Sequence, residues 1–393
     1  MKILVVCQYF YPENFVISKI CEKLVSFGHD VTVLTGKPNY GYGEIIPEYR
    51  KMKYQEYNGI KIHRVNLVAR KKSRFSIIRN YLSFWRNSKK WVRKCREKYD
   101  IVYSMSLSPV TILSAGNLYK KKHHVPHVVH CVDLWPESTI VTHAVRKGSL
   151  VYKFLYKWSR KLYDKADKVL IGSPSFEDYF HDVLKLDKPM EFVPQPSLVE
   201  QSDLPPIELD KDYFHVLYCG NLGLIQQIPF ISEAMKELKE EKIKFHIIGM
   251  GPLSNKLEND IKEYGLENVI YHGPIPAYQA SAYFKAVDAL YVGLKDEGTV
   301  GKTIPNKLVM SMAFAKPIIG LIEGDGKKIL SEANGGVFAM QNALSLKEAL
   351  LKMSKMSDKE RKTLGENNYR FYQEHLTLDK VSRAIEKSLL ETK

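Results

Sequence analysis

Residues 2–34 read KILVVCQYFYPENFVISKICEKLVSFGHDVTVL. Ile3-Leu4-Val5-Val6-Cys7 is an unbroken apolar run, as a parallel strand buried on both faces requires. From Phe15 to Phe27 the apolar residues Val16, Ile20, Leu24 and Phe27 recur at helical spacing, and Gly28 stops the pattern. Val31–Leu34 is a second apolar run. Strand, helix and strand in this order predict the opening of a doubly wound α/β domain.

The alternation continues outward from this stretch. Strands are predicted at Ile101–Met105, His127–Cys131, Lys168–Ile171 and Glu191–Val193. Helices are predicted near Pro109–Lys121, Leu150–Tyr163 and Ser175–Leu184. Pro194, Pro196, Pro205 and Pro206 then mark a linker. Beyond it the pattern restarts with strands Phe214–Cys219, Phe245–Ile248, Val269–Tyr271, Ala289–Val292 and Pro317–Leu321, and with helices near Phe230–Leu238 and Asn306–Ala315. Leu378–Leu390 reads as an amphipathic helix. The expected organisation is an N-terminal domain over 1–195, a C-terminal domain over 213–375, and a helix over 376–393 packing back on the first. Ligands of such sheets bind at the carboxyl ends of the strands, which puts the expected site in a cleft between the halves.

Length and composition agree with this plan. The chain has 393 residues, 45% hydrophobic and 26% charged, enough for two cores of ordinary size. Five cysteines, at positions 7, 21, 95, 131 and 219, show neither C-x-x-C nor zinc spacing, so a reduced, cytoplasmic chain is expected. No apolar run is long enough for a signal-peptide core or a spanning helix. The net charge of +15 is local: residues 61–98 hold fourteen Lys and Arg against Glu97 alone. Such a patch suggests phosphate, from nucleic acid or from lipid headgroups. A nucleic-acid binder would need a groove-reading module or a stacking platform, and neither is visible.

Several motifs carry chemistry. Gly249-Met250-Gly251-Pro252 follows a predicted strand and precedes a helix, where glycines let backbone N–H groups approach an anion; a tight strand-to-helix turn reads the same way. Gly301-Lys302-Thr303 lacks the glycine a P-loop needs five residues earlier, because Asp296 stands there. Asp210-Lys211-Asp212 matches a D-x-D metal motif but falls in the polar end of the linker, not after an apolar strand. The histidines, including His123-His124, have no partner at ligand spacing. Asp133, just past a predicted parallel strand, is placed to bind sugar hydroxyls or orient a reacting group, or simply to cap a turn.

Six motifs, in order along the chain, resemble the family 4 glycosyltransferases with the GT-B fold. They are Tyr9-Phe10-Tyr11-Pro12-Glu13, Pro38-Asn39-Tyr40, Asp133-Leu134-Trp135-Pro136-Glu137-Ser138, Cys219-Gly220-Asn221-Leu222-Gly223, Ile248-Gly249-Met250-Gly251-Pro252, and Pro305-Asn306-Lys307-Leu308 with Ala315-Lys316-Pro317. Bacterial capsule and O-antigen transferases of the fucosaminyltransferase-like subgroup are the most similar. The resemblance implies two doubly wound Rossmann-like domains facing across a cleft. It implies retaining transfer from a nucleotide-sugar donor, bound by the C-terminal half without a metal or other cofactor, to an acceptor bound by the N-terminal half.

Carried over by position, the resemblance makes Tyr11, Glu13, Asn39, Tyr40, Trp135 and Glu137 acceptor-binding. Gly249, Gly251, Pro305 and Asn306 become donor-binding, together with Asn221 and Gln226, where the wider family has an Arg and a Lys on the diphosphate. Lys302 and Met310 stand where the family has two glutamates, the second of which holds the ribose. Lys307 is then the candidate cation for the leaving diphosphate, with Asp133 facing sugar and acceptor as the second catalytic candidate. The basic stretch reads as a helix that packs its apolar face on the sheet and turns cations outward. Arg70, Lys71, Lys72 and Arg74 are the expected contacts to an anionic membrane at the inner face of the plasma membrane, where a lipid-linked glycan acceptor would be met. Alternatives are a non-catalytic GT-B partner subunit and a sugar-nucleotide epimerase.

Overall fold

The apolar runs of the first half become a parallel sheet because each is long enough to cross the core and too apolar to face water on either side. The computed structural model describes residues 1–71, 73–141, 144–198 and 202–393. Two units emerge: residues 1–195 with 378–393, and residues 196–377. Each is a doubly wound α/β layer structure.

In the first unit the strands are β1 (Lys2–Val6), β2 (Asp30–Gly36), β3 (Tyr54–Tyr57), β4 (Ile60–Val65), β5 (Ile101–Ser106), β6 (His127–Cys131), β7 (Lys168–Ile171) and β8 (Met190–Phe192). Their order is β3-β4-β2-β1-β5-β6-β7-β8, parallel except for the β3–β4 hairpin. That hairpin is absent from the sequence reading. Its turn is Asn58-Gly59, both with positive φ, as a two-residue hairpin turn demands. The main helices are α1 (Val16–Ser26), α2 (Arg74–Lys94), α3 (Leu113–His123) and α4 (Leu150–Tyr163). Leu4, Val6, Leu34, Phe84 and Tyr119 close the core on one side of the sheet. The last helix, Leu378–Thr392, buries Val381, Ile385 and Leu389 in this unit. Lys23–Asp379 at 2.9 Å and His29–Glu386 at 2.8 Å tie it to the end of α1.

The second unit contains β9 (Phe214–Cys219), β10 (Ile243–Ile248), β11 (Val269–Gly273), β12 (Ala289–Gly293), β13 (Ile318–Leu321) and β14 (Gly336–Phe338), ordered β11-β10-β9-β12-β13-β14 and all parallel. Helix α5 (Ile228–Lys236) follows β9 and helix α6 (Asn306–Met312) precedes β13. The proline-rich segment is not a free linker where it is described. Ser202 N–H donates to Ser281, and Lys285 donates to the carbonyls of Ser202 and Leu204, which lay the segment along helix Ala277–Ala286. Part of that segment, 199–201, lies outside the described residues. Asp210 shapes the turn into β9 by accepting from the Asp212 N–H. Among the described residues no helix is long and apolar enough to cross a membrane.

Helix α2 departs from the amphipathic expectation. Its buried stripe is Asn80, Phe84, Ser88 and Val92, one residue per turn and half of them polar. Ile78 and Leu82, which the apolar face was to bury, are exposed, as is Phe75. Asn80 is held inward by hydrogen bonds to the Val68 carbonyl and to the Asn39 and Gln8 side chains, so a polar network rather than an apolar face sets the roll of the helix.

Candidate active site

In the second unit the site is built from the loops after two neighbouring strands. β9 and β10 end in register, Cys219 beside Ile248, and each runs directly into glycine. Gly220 has φ +146° and Gly249 φ +132°, conformations that L side chains rarely adopt. Space as well as torsion demands glycine. A Cβ on Gly249 would stand 1.9 Å from the Gly220 carbonyl oxygen, and one on Gly220 would stand 2.3 Å from Lys307 Cε. One on Gly251 would stand 2.5 Å from the Leu222 carbonyl oxygen. The glycines therefore allow two loops and a lysine to close on one another.

Lys307 enters this cradle from the first turn of α6, where Pro305 occupies the N-cap and Asn306 is exposed. Its Nζ lies 5.7 Å from the centroid of the Tyr218 ring. Among the described residues no carboxylate pairs with it, and burial lowers its pKa. Burial also pushes the neighbouring Cys219 thiol up to about 11, against the pull of the Lys307 charge. Asn221 and Gln226 flank Gly223, and the Gln226 Oε1 is buried without a hydrogen-bond partner. A buried carbonyl of this kind costs free energy until something donates to it, which marks the cradle as a place for a ligand. Asn221, Gln226, Gly249, Gly251 and Lys307 thus come together. Met310 does not join them: one turn on, it packs against the apolar cluster of Leu308, Val309 and Met312. Lys302 is exposed in a short turn whose carbonyl lies against Gly324.

In the first unit the loops after β1, β2, β4, β5 and β6, with helix α2, carry the polar groups. Asp133 accepts a hydrogen bond from Ser108, whose hydroxyl lies 3.2 Å from that of Ser138. Burial raises the Asp133 carboxyl, and the two hydroxyls partly offset it. The Asp133 charge is felt at Tyr81, which also meets Arg70. The Arg70 guanidinium donates to the hydroxyls of Tyr9 at 3.0 Å and Tyr81 at 3.1 Å, and lies 5.0 Å from the Tyr40 ring centroid. Arg70 is thereby drawn in among Tyr9, Tyr40 and Tyr81, and Tyr81 feels both its charge and that of Asp133. Lys71 and Arg74 remain exposed, while Lys72 lies outside the described residues.

Several residues expected to bind acceptor have other work. Glu13 is buried and accepts the backbone N–H of Asn39 at 2.7 Å and of Tyr40 at 2.6 Å. Desolvation raises its carboxyl, opposed by those donors. Asn39 is wholly buried and spends its side chain on Lys37, Arg70 and Asn80. Both therefore shape the loops and leave the binding surface to Tyr40, which is exposed, and to Tyr11, stacked on Tyr57 at 3.7 Å. Trp135 is buried in the core under the loop, and Glu137 accepts from the Tyr152 hydroxyl. Ser108 and Tyr81 escape a reading of the sequence, and Arg70, expected there at a membrane, joins them instead, since only the fold brings residues so far apart together. The histidines escape it too. His215, His246 and His272, on adjacent strands, form a ladder with ring nitrogens 2.9 and 3.0 Å apart, and burial lowers His246 to about 3.

Residues 14–195 match the family described as "Glycosyl transferase 4-like domain", and residues 213–355 match "Glycosyl transferases group 1". The chain is a family 4 glycosyltransferase of the GT-B fold. Among its curated relatives is the probable glycosyltransferase WbjE of Pseudomonas aeruginosa, 25% identical over 75% of this chain and 76% of that one. Another is the putative colanic acid biosynthesis glycosyl transferase WcaI of Escherichia coli K12, 22% identical over 80% of this chain and 81% of its own. The solved structure of HepE from Anabaena with UDP-glucose shares the fold, with a TM-score of 0.69, 13% identity and full coverage of both chains.

Proposed function

We propose that this glycosyltransferase moves a sugar, with retention, from a nucleotide-sugar donor held by its second unit to a lipid-linked glycan acceptor held by its first. The proposed setting is synthesis of a bacterial surface polysaccharide at the cytoplasmic face of the membrane. The observation that carries this reading is the glycine cradle closed by the Lys307 side chain, with the Gln226 carbonyl partnerless among the described residues. As the glycosidic bond breaks, negative charge grows on the leaving diphosphate while the sugar becomes oxocarbenium-like. A desolvated ammonium without a carboxylate partner is fully available to that charge, and the backbone N–H groups of the glycine loops add to it. In this scheme no metal is needed to meet the leaving group.

Asp133, with its raised carboxyl between Ser108 and Ser138, orients the acceptor hydroxyl or the transferred sugar, and Arg70 with Tyr40 and Tyr81 frames the acceptor. The HepE complex supports a uridine diphosphate sugar as donor, and the name of WcaI supports an exopolysaccharide product. The resemblance to fucosaminyltransferase-like capsule and O-antigen enzymes supports a hexose or an N-acetylaminosugar as the transferred group. Donor consumption measured with and without a polyprenyl-linked acceptor tests the proposal. Acceptor-dependent release of nucleoside diphosphate, with the donor's anomeric configuration retained in the product, is expected. Donor left intact under both conditions would mean a non-catalytic subunit, and an epimerised donor without transfer would mean an epimerase.

A further inference from the structure

Helices α2 and α4 of the first unit each carry an outward stripe of the same composition. On α2, Phe75, Ile78, Leu82, Trp85 and Lys89 follow at steps of three and four, so they share one face. On α4 the corresponding row is Leu150, Phe154, Trp158 and Lys161, with Val151 beside it. The apolar members face solvent: Leu150 is 85% exposed, Phe75 70% and Phe154 61%. Trp85 and Trp158 touch edge to face at 5.7 Å, and Phe154 continues the row at 5.6 Å from Trp158. Beyond the tryptophans, a pocket of about 390 Å³ is lined by Lys89, Arg93, Lys121, Lys161 and Lys165.

Both helices pack on α3, whose Ser114, Asn117 and Lys121 line the same pocket; because the tryptophans meet and the residues following them on both helices line that pocket, α2 and α4 run in one direction. Their apolar rows then lie together on one side of the tryptophan pair and the cations on the other. At 1.5 Å per residue, each row reaches about 12–15 Å from its tryptophan. No carboxylate lines the pocket, and none of its five cations forms an ion pair among the described residues. Lys89, whose ammonium lies 4.3 Å from the Trp85 ring centroid, is discharged more easily than an ordinary lysine through burial, reinforced by Arg93 and Lys165.

We propose that this face is the membrane-docking surface of the enzyme: the α2 and α4 apolar rows enter the headgroup boundary of an anionic bilayer, and the lysine pocket behind Trp85 and Trp158 takes lipid headgroup phosphate. The order apolar, tryptophan, cation matches the depth profile of an interface, in which acyl chains give way to headgroups and tryptophan sits between them. The inference rests on the membrane reading above but moves the contact from Arg70–Arg74 to α2 and α4 and adds shallow apolar insertion.

Co-sedimentation of the full chain with vesicles of phosphatidylcholine, with or without phosphatidylglycerol, tests it. Wild type should prefer the anionic vesicles and retain part of its binding at 1 M salt, since insertion is not screened. Leu150→Ser with Phe154→Ser should abolish the salt-resistant part. Lys89→Gln, Lys161→Gln and Lys165→Gln together should weaken binding on the order of a hundredfold, as three charges near an anionic surface imply. Lys153→Gln with Arg160→Gln, off the stripe on the same helix, should change binding little. Brominated acyl chains should quench wild-type tryptophan emission, and Trp85→Phe with Trp158→Phe should remove most of the quenching. Wild-type binding that both stripe variants retain would overturn the proposed surface while leaving membrane association in place. Failure of wild type to bind any vesicle would overturn the membrane reading itself. Binding that requires polyprenyl phosphate in a neutral bilayer would assign the pocket to the acceptor and overturn the headgroup assignment. The melting transition and its upward shift by nucleoside diphosphate should be unchanged in every variant, which excludes misfolding as the cause of lost binding.

Discussion

Replacement of Lys307 by Met should move activity and stability in opposite directions. The ammonium sits against Tyr218 and Cys219 behind Gly220, desolvated and with no carboxylate among the described residues to offset the cost. A buried unpaired charge destabilises the fold, and the lowered pKa is the sign of it: below the ordinary lysine value the folded protein holds a proton it binds weakly. The ring returns about 1–2 kcal/mol of this at a desolvated site. Met keeps the length and packing of the chain, so Lys307→Met should be as stable as wild type or more stable in urea. Turnover should fall by about 2–4 kcal/mol of barrier, roughly 30- to 1,000-fold, as for loss of one preorganised donor to a developing anion. The assay pairs steady-state donor turnover with melting in the presence of nucleoside diphosphate. Wild type should be stabilised by the diphosphate and the variant much less. Because burial already favours the neutral amine, the turnover of wild type should decline at a lower pH than an ordinary lysine would set. Unchanged turnover would remove Lys307 from the mechanism. An equal loss of turnover and stability would make it a structural residue.

Four further outcomes follow from the same geometry. Asp133→Asn should reduce transfer at least tenfold while leaving the melting curve nearly unchanged, since Asn still accepts from Ser108; full activity in a coupled diphosphate-release assay would exclude the carboxylate. Gly249→Ala places a methyl 1.9 Å from the Gly220 carbonyl oxygen at φ +132°, so a loss of about 3 kcal/mol in urea and of diphosphate binding by calorimetry is expected. Exhaustive chelation should leave turnover intact, and abolition with rescue by manganese or magnesium would show that the leaving group is met otherwise. His127 and His130 are buried, with pKa values lowered to about 3 and about 4. The unfolded chain binds protons from near 6.5 downward, so their stabilisation is complete above that pH and is lost as pH falls toward the folded values; urea midpoints should show about 2 kcal/mol per histidine lost by pH 5.

What was legible in the sequence was whatever each segment decides for itself. Ile3–Val6 is apolar on both faces, and Ile101–Met105 and Phe245–Ile248 are broken only by Ser104 and His246, so all three read as central parallel strands. The β3–β4 hairpin was missed although Asn58-Gly59 announces it, because Tyr54-Gln55-Glu56-Tyr57 is half polar, as an edge strand must be. The glycine loops were legible as loops, but their closeness was not: that Gly249 faces Gly220, and Gly220 faces Lys307, depends on β9 and β10 ending in register. The histidine ladder is a register effect of the same kind.

Helix α2 shows why polar networks defeat a reading by periodicity. Its apolar residues span half a turn, and transfer energy alone would roll Ile78 and Leu82 inward. Asn80 instead reaches the buried side chains of Gln8 and Asn39 and the half-buried Val68 carbonyl, and the three buried amides would be left partly unsatisfied if the helix rolled. An orphaned buried polar group costs about 1–3 kcal/mol, against roughly 1.5–3 kcal/mol for burying one aliphatic side chain, so three linked groups outweigh two aliphatic ones. The same network orders the strand-end loops beside Arg70 and Tyr40. One set of hydrogen bonds therefore both holds the loops beside Arg70 and Tyr40 in place and turns Phe75, Ile78 and Leu82 to the outside, where, in the proposed docking, a bilayer rather than the sheet covers them.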